Sequence, residues 1–263
     1  MRVLQSFALH LIRALGGFAL GQRLTRDRLR ILCYHGFSIG DEYEVAPMMF
    51  MRAETFERRM RILKKRRIPV VTLDEGVRRL GKHDIRNAET VITFDDGWAS
   101  NLTIGVPIIE KYSYPVCIYL TTEHLAASTE VFNVALSYMI RRSAKHTLTL
   151  SGLHPQIDGS YDIRNNPDGS MRALMVATQK AFPLAERQRL LQPIATALGL
   201  DVKEVLKNGR FRLLTRAQIQ ELSKRGVDIE LHTHTHNLPD EFDATAAEID
   251  QNRQALKEMA GHG

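Results

Sequence analysis

Val91-Ile92-Thr93-Phe94-Asp95-Asp96-Gly97 is a β-rich apolar run that ends in two adjacent carboxylates and a glycine. Such a run reads as a strand that delivers both acids at its carboxyl end. Far downstream, Val227-Asp228-Ile229-Glu230-Leu231 delivers His232-Thr233-His234-Thr235-His236 in the same way. Parallel α/β folds build their sites at the carboxyl ends of strands, so the two stretches point to one sheet and one site. Two adjacent acids can divide labour, one binding a metal and the other staying free as a base. Two imidazoles four residues apart complete a three-ligand site with a position open to water. In this reading a divalent ion sits on Asp96, His232 and His236, Asp95 takes the proton from water, and the chain is a metal-dependent hydrolase. Alone, Asp-Asp-Gly is a common turn and His-x-x-x-His is weak evidence. Their joint placement at strand ends carries the inference.

The neighbouring sequence alternates between strand and helix. Strand-like runs begin near Ile31, Val70, Val91, Val116 and Val227. Helical spacing places Phe56, Met60 and Leu63 on one face, and further helical segments cover Asp74 to Leu80 and the stretch holding Leu102, Val106 and Ile109, where Pro107 delays or kinks the start. Thr215-Arg216-Ala217-Gln218 forms a capping box for a helix that Gly226 ends. Strands alternating with helices predict an α/β chain built on a mainly parallel sheet or barrel. Residues 122–213 break this rhythm. They hold a helical stretch near Phe132 to Arg142, a turn-rich segment from Ser151 to Ser170, and helices over Arg172 to Leu198 interrupted near Pro183 and Pro193. This reads as an insertion over the sheet that shapes a substrate cleft. The organisation expected is a basic, apolar segment at 1–29 followed by a domain at 30–263.

At 263 residues with 44% hydrophobic and 25% charged residues, the chain can bury a substantial core. Its formal charge is +6. Arg2, Arg13, Arg23, Arg26, Arg28 and Arg30, against Asp27 alone, supply most of that excess. A second basic run, Arg58 to Arg67, reads as a solvated helix face. No aromatic residues interleave with these charges in a nucleic-acid-binding pattern, so nucleic acid is not expected as a partner. Phe7 to Leu20 is apolar but interrupted by His10 and Arg13, which makes it too short and polar for a membrane span and a poor signal peptide. Peripheral contact with an anionic membrane, a plain packing helix and a frayed terminus are the alternatives for this segment. Cys33 and Cys117 lie in apolar runs without ligand spacing. Both read as core thiols of a reducing compartment, so a cytoplasmic, potentially membrane-associated location is expected. His35 either lines the site or packs in its loop, Trp98 either stacks on a sugar or packs on the next helix, and His234, between the two ligands, either points elsewhere or supports them from behind rather than ligating.

Thr93-Phe94-Asp95-Asp96-Gly97 and His232-Thr233-x-x-His236 resemble the first two motifs of the polysaccharide deacetylases, the NodB-homology (carbohydrate esterase family 4-like) group. Tyr34-His35, the run Pro107 to Tyr112, and Leu238 agree with that context. The resemblance covers about residues 31–259, least well in the insertion. It implies a distorted, incomplete (β/α) barrel. It also implies removal of N-acetyl groups from amino sugars of a polysaccharide or lipid-linked glycan, with Asp95 as base, Asp96, His232 and His236 as metal ligands, and zinc as the usual ion. Glu230 and Leu231 depart from the small or polar residues common in the group. No counterpart is visible to the family's later Arg/Pro and Leu/His motifs, which orient the base and supply the general acid. His262, in a terminal Gly-His-Gly, is a poor substitute for that acid. The expectation is therefore a C-terminally truncated barrel with weak turnover; the alternative is a glycan-binding remnant.

Overall fold

Residues 2–127 and 129–260 are described by the computed structural model. Four parallel strands form the central sheet: β1 (Arg30–Tyr34), β2 (Thr90–Phe94), β3 (Cys117–Leu120) and β4 (Asp228–Leu231), in that spatial order. Every residue of β2 is buried, as expected of an apolar strand flanked by neighbours and covered on both faces. Register pairs Tyr34 with Phe94, Phe94 with Ile118, and Leu120 with Leu231. The residues that follow these four strands therefore emerge along one edge of the sheet. Among the described residues the sheet is open, with β1 and β4 at its margins.

The helices between the strands follow from the sequence pattern. Phe56, Met60 and Leu63 are buried along α3 (Ala53–Lys65), following α1 (Arg2–Ala14) and α2 (Gly17–Leu24). Phe56 meets Tyr34, Phe37 and Phe94 in an aromatic cluster with centroids 4.7–5.7 Å apart. Edge-on and tilted ring contacts add to the area they bury. A π-helical turn at Asn101–Gly105 leads into a helix at Val106–Lys111 with Pro107 in its first turn, where the missing N–H costs least. Thr215 and Gln218 close a capping box on α4 (Arg216–Lys224), and Gly226 adopts φ +77° two residues past its end. α5 (Phe242–Ala260) packs on α4 and β4.

Two features depart from the sequence expectation. Val70 makes a single bridge to Thr90 and begins no strand. Two residues later the Thr72 side chain accepts from the Glu75 N–H, capping the helix at Leu73–Gly81 and turning the chain off the sheet. The turn-rich segment holds one strand of a hairpin, Gly159–Asp162, paired with Thr147–Leu150 just before it, whose Leu148 and Leu150 enter the core. Near Pro193 the helical stretch is broken as expected, by a 3₁₀ turn at Gln188–Leu190, and the proline lies in the first turn of the helix Leu191–Ala197 that follows.

Candidate active site

Asp95 continues the β1–β2 pairing, its N–H donating to the Tyr34 carbonyl at 2.8 Å. The backbone then reverses through Asp96 at φ +70° and Gly97 at φ +81°. Left-handed backbone is costly for residues other than glycine, with Asp and Asn the common exceptions. The Gly97 carbonyl accepts from the Leu214 N–H at 2.8 Å. A Cβ at Gly97 would lie 2.3 Å from Leu120 Cδ2, and Leu120 is fully buried. Gly97→Ala is expected to destabilise the fold by about 2–4 kcal/mol through left-handed strain and overpacking. Chemical denaturation measures this, and an unchanged midpoint would contradict the turn.

The turn fixes Asp96 with its two oxygens in different roles. Oδ2 accepts from Trp98 Nε1 at 3.0 Å, and Trp98 is itself buried against Phe50, with centroids 4.9 Å apart. The indole is therefore packed in the core against Phe50, where it orients the acid. Oδ1 is buried and has no hydrogen-bond partner, yet His232 Nε2 and His236 Nε2 stand 3.4 and 3.3 Å away. Ligand atoms of Asp96, His232 and His236 all lie within 4.8 Å of one another. Burial alone would raise the Asp96 pKa, but His232, His236, His35 and the indole donor hold it below the usual carboxylate value. Reciprocally, the Asp96 carboxylate outweighs burial and holds His232 above the ordinary imidazole value.

The histidine segment is folded by residues from three other elements. His232 N–H donates to the Leu120 carbonyl at 3.2 Å, extending the β3–β4 pairing, and to Asn252 Oδ1 at 2.8 Å. Asn252, fully buried on α5, donates to the Leu120 carbonyl and to Thr122 Oγ1, both at 3.0 Å. Glu248, one helical turn earlier, accepts from the N–H groups of His234 and Thr235 at 2.9 Å and from the Thr235 hydroxyl at 2.7 Å. His234 points away from the cluster, its Nδ1 2.8 Å from Thr122 Oγ1. Thr233 and His236 take φ +62° and +59°, so two left-handed residues curl the loop and bring the two rings to a centroid separation of 5.2 Å. Asn252 and Glu248 had no signal in the sequence beyond being polar residues on one face of a helix.

On the other side of the pair, Asp95 Oδ2 accepts from Cys33 Sγ at 3.1 Å, while Oδ1 is buried without a partner. Cys33 is exposed, which corrects its reading as a core thiol. Side chains alternate along β1, and Ile31 and Cys33 share its uncovered face. Partial burial and the neighbouring Asp95 push the thiol up to about 11, so it stays a protonated donor. Cys117 is buried, as expected. His35 approaches Cys33 and Asp95 within the same 4.8 Å spacing, lining the site edge of the sheet. A cleft of about 610 Å³ opens beside Asp96 and His236. One wall comes from the 122–213 segment, through His124, Asn133, Gln179 and Arg187. His262 lies outside the described residues.

An open parallel sheet with carboxylates and imidazoles gathered at its carboxyl edge defines an α/β enzyme. The chain belongs to the polysaccharide deacetylase family, whose model matches residues 83–263; it is a NodB-type hydrolase acting on carbon–nitrogen bonds of glycans. In fold it resembles the Streptococcus pyogenes deacetylase PplD, solved in complex with acetate, at 15% identity and a TM-score of 0.50 over 89% of this chain and 69% of that one. IcaB from Ammonifex degensii aligns at 15% identity and a TM-score of 0.48 over 89% and 70%. No curated protein matches the chain.

Proposed function

We propose that this chain removes N-acetyl groups from amino sugars of a polysaccharide or lipid-linked glycan, with a divalent ion held by Asp96, His232 and His236. The observation that carries this reading is the convergence of two imidazole nitrogens on a buried carboxylate oxygen that has no hydrogen-bond partner. An orphaned acceptor facing two ring nitrogens fits a cation, and an N,N,O donor set suits zinc. When bound, the ion supplies Lewis-acid polarisation of the amide carbonyl and lowers the pKa of water. Asp96 gives Oδ1 to that site because Trp98 occupies Oδ2. Asp95 is the base: its Oδ1 is unpartnered and receives a proton from the attacking water, while Cys33 fixes Oδ2. The products are acetate and the free amino sugar. Acetate release from N-acetylglucosamine oligomers tests this assignment; no release by the metal-loaded chain would count against it.

Asn252 is the positioning residue whose loss this reading makes most visible. Asn252→Ala removes one of two partners from each of the His232 N–H, the Leu120 carbonyl and the Thr122 hydroxyl, at a cost of about 1–3 kcal/mol. Loosening the loop should also weaken zinc binding about 10–100-fold, as outer-shell partners of metal sites do. Thermal unfolding and competitive zinc titration read the two effects separately. A stability loss with unchanged affinity would remove Asn252 from the metal argument.

A further inference from the structure

The two N-terminal helices expose an apolar surface beside a basic cleft at the end of the sheet opposite the candidate site. From Phe7 to Arg28 every residue except Gly17 is exposed. Phe7, Leu11 and Leu15 are 72%, 50% and 77% exposed and share one face of α1 and its continuation, while His10 and Arg13 lie on the other. In α2, Phe18, Leu20 and Leu24 are 50–69% exposed. The helices meet closely at their junction, where a Cβ on Gly17 would lie 2.7 Å from Ile12 Cγ2. No helix here is long and apolar enough to cross a membrane, so these side chains suit an interface rather than a span.

Next to this surface lies a cleft of about 490 Å³ lined by Arg23, Arg26, Arg30, Arg66 and Arg67. Its frame is fixed by backbone, with the Ala88 N–H donating to the Arg26 carbonyl at 2.7 Å and the Arg30 N–H to the Glu89 carbonyl at 2.9 Å. Arg28 pairs with Asp27 at 4.0 Å. Among the described residues, no carboxylate comes within ion-pair distance of the cleft arginines. Arg66 and Arg67 end the basic run of α3 and turn into this cleft, while Arg58 and Arg61 face solvent. Guanidinium groups gathered without counter-charges are suited to binding phosphate oxygens.

We infer that α1, α2 and the arginine cleft form a docking site for an anionic phospholipid membrane, with the apolar side chains entering the headgroup boundary and the arginines holding lipid phosphates. Charge complementarity selects this occupant over a second copy of the chain, since a copy would bring the same arginines to the interface. The cleft lies at the amino ends of β1 and β2, and Asp95 and Asp96 follow the carboxyl end of β2, about 15 Å away along the strand. Docking therefore leaves the catalytic cleft on the far side of the sheet, open to glycan away from the bilayer. A lipid held by the arginines is a different molecule from the substrate, so this proposal stands or falls apart from the deacetylase assignment.

Co-sedimentation of the full chain with vesicles tests the inference. Vesicles of equal parts phosphatidylglycerol and phosphatidylcholine should bind at least about tenfold more strongly than phosphatidylcholine alone. Arg26→Gln with Arg66→Gln should lower partition about 25-fold, at about fivefold per arginine near a charged surface. Leu11→Ser with Phe18→Ser should also release the chain, with circular dichroism confirming that both variants remain folded. Equal binding to neutral vesicles would overturn the proposal. So would a dimer in sedimentation equilibrium that the Leu11→Ser and Phe18→Ser changes dissociate.

Discussion

Asp95→Asn is expected to lower acetate release from N-acetylglucosamine oligomers by about 10²–10⁴-fold, the usual contribution of a general base. The substitution is nearly isosteric and keeps an oxygen to accept from Cys33 Sγ, so the fold should persist. Zinc affinity should also persist, because Asp95 stands outside the group formed by Asp96, His232 and His236. This combination separates a base from a ligand: activity falls while metal occupancy stays near that of the parent chain. Equal loss of both would place Asp95 on the metal. Retained activity would mean that another group takes the proton, with His35 the first candidate because it shares the Cys33–Asp95 cluster. Cys33→Ser, which keeps a donor, should have a far smaller effect.

Asp96→Ala should weaken zinc binding by at least about 100-fold, since removal of a ligand exceeds the 10–100-fold cost of losing an outer-shell partner. It also strips the hydrogen bond from the buried Trp98 indole, a loss of about 1–3 kcal/mol. Asp96→Asn distinguishes the two effects, because an amide oxygen can still accept from the indole while the charge is gone. Stability should recover in the asparagine variant, and zinc affinity should not. The pH dependence follows from the same contacts. In the metal-free chain, Asp96 has its pKa held below 3.8; its contribution to stability is present above that value and lost as pH falls through the lowered one. His232 is held above 6.5; its contribution is full below that value and lost as pH rises through the raised one. Zinc requires the neutral imidazole, so its affinity should run the other way. It should rise about tenfold per pH unit, for one displaced proton, until pH exceeds the raised His232 value. A pH-independent affinity across 6.5 would contradict His232 as a ligand.

The parallel sheet and the gathering of Asp96, His232 and His236 were legible because both rest on local patterns. An apolar run followed by polar residues marks the carboxyl end of a strand, and parallel pairing aligns those ends whatever lies between. The four-residue histidine spacing was legible for the same reason, although the left-handed Thr233 and His236 that close the loop left no mark in composition. Cys33 was misread because strand order decides which face of β1 is covered, and order depends on pairings across distant segments. Val70 was misread because β-propensity outlasts the pairing: the Thr72 cap redirects the chain after one bridge. Asn252 and Glu248 reach the histidine loop from 20 and 13–14 residues away in sequence, a contact that only the packing of α5 on β4 creates. The exposed apolar side chains of α1 and α2 were visible as an apolar stretch, but the arginine cleft beside them joins Arg23 to Arg66 and Arg67 across the fold.

Metal removal and restoration test the central claim most directly. The chain is stripped with a chelator, supplied with one equivalent of zinc, and assayed for acetate released from N-acetylglucosamine oligomers at each stage. The proposed site predicts that release is lost on stripping, returns at a stoichiometry of one ion per chain, and does not return in the Asp96→Asn variant. Release that survives chelation, or returns equally in Asp96→Asn, would contradict a metal centre at Asp96, His232 and His236.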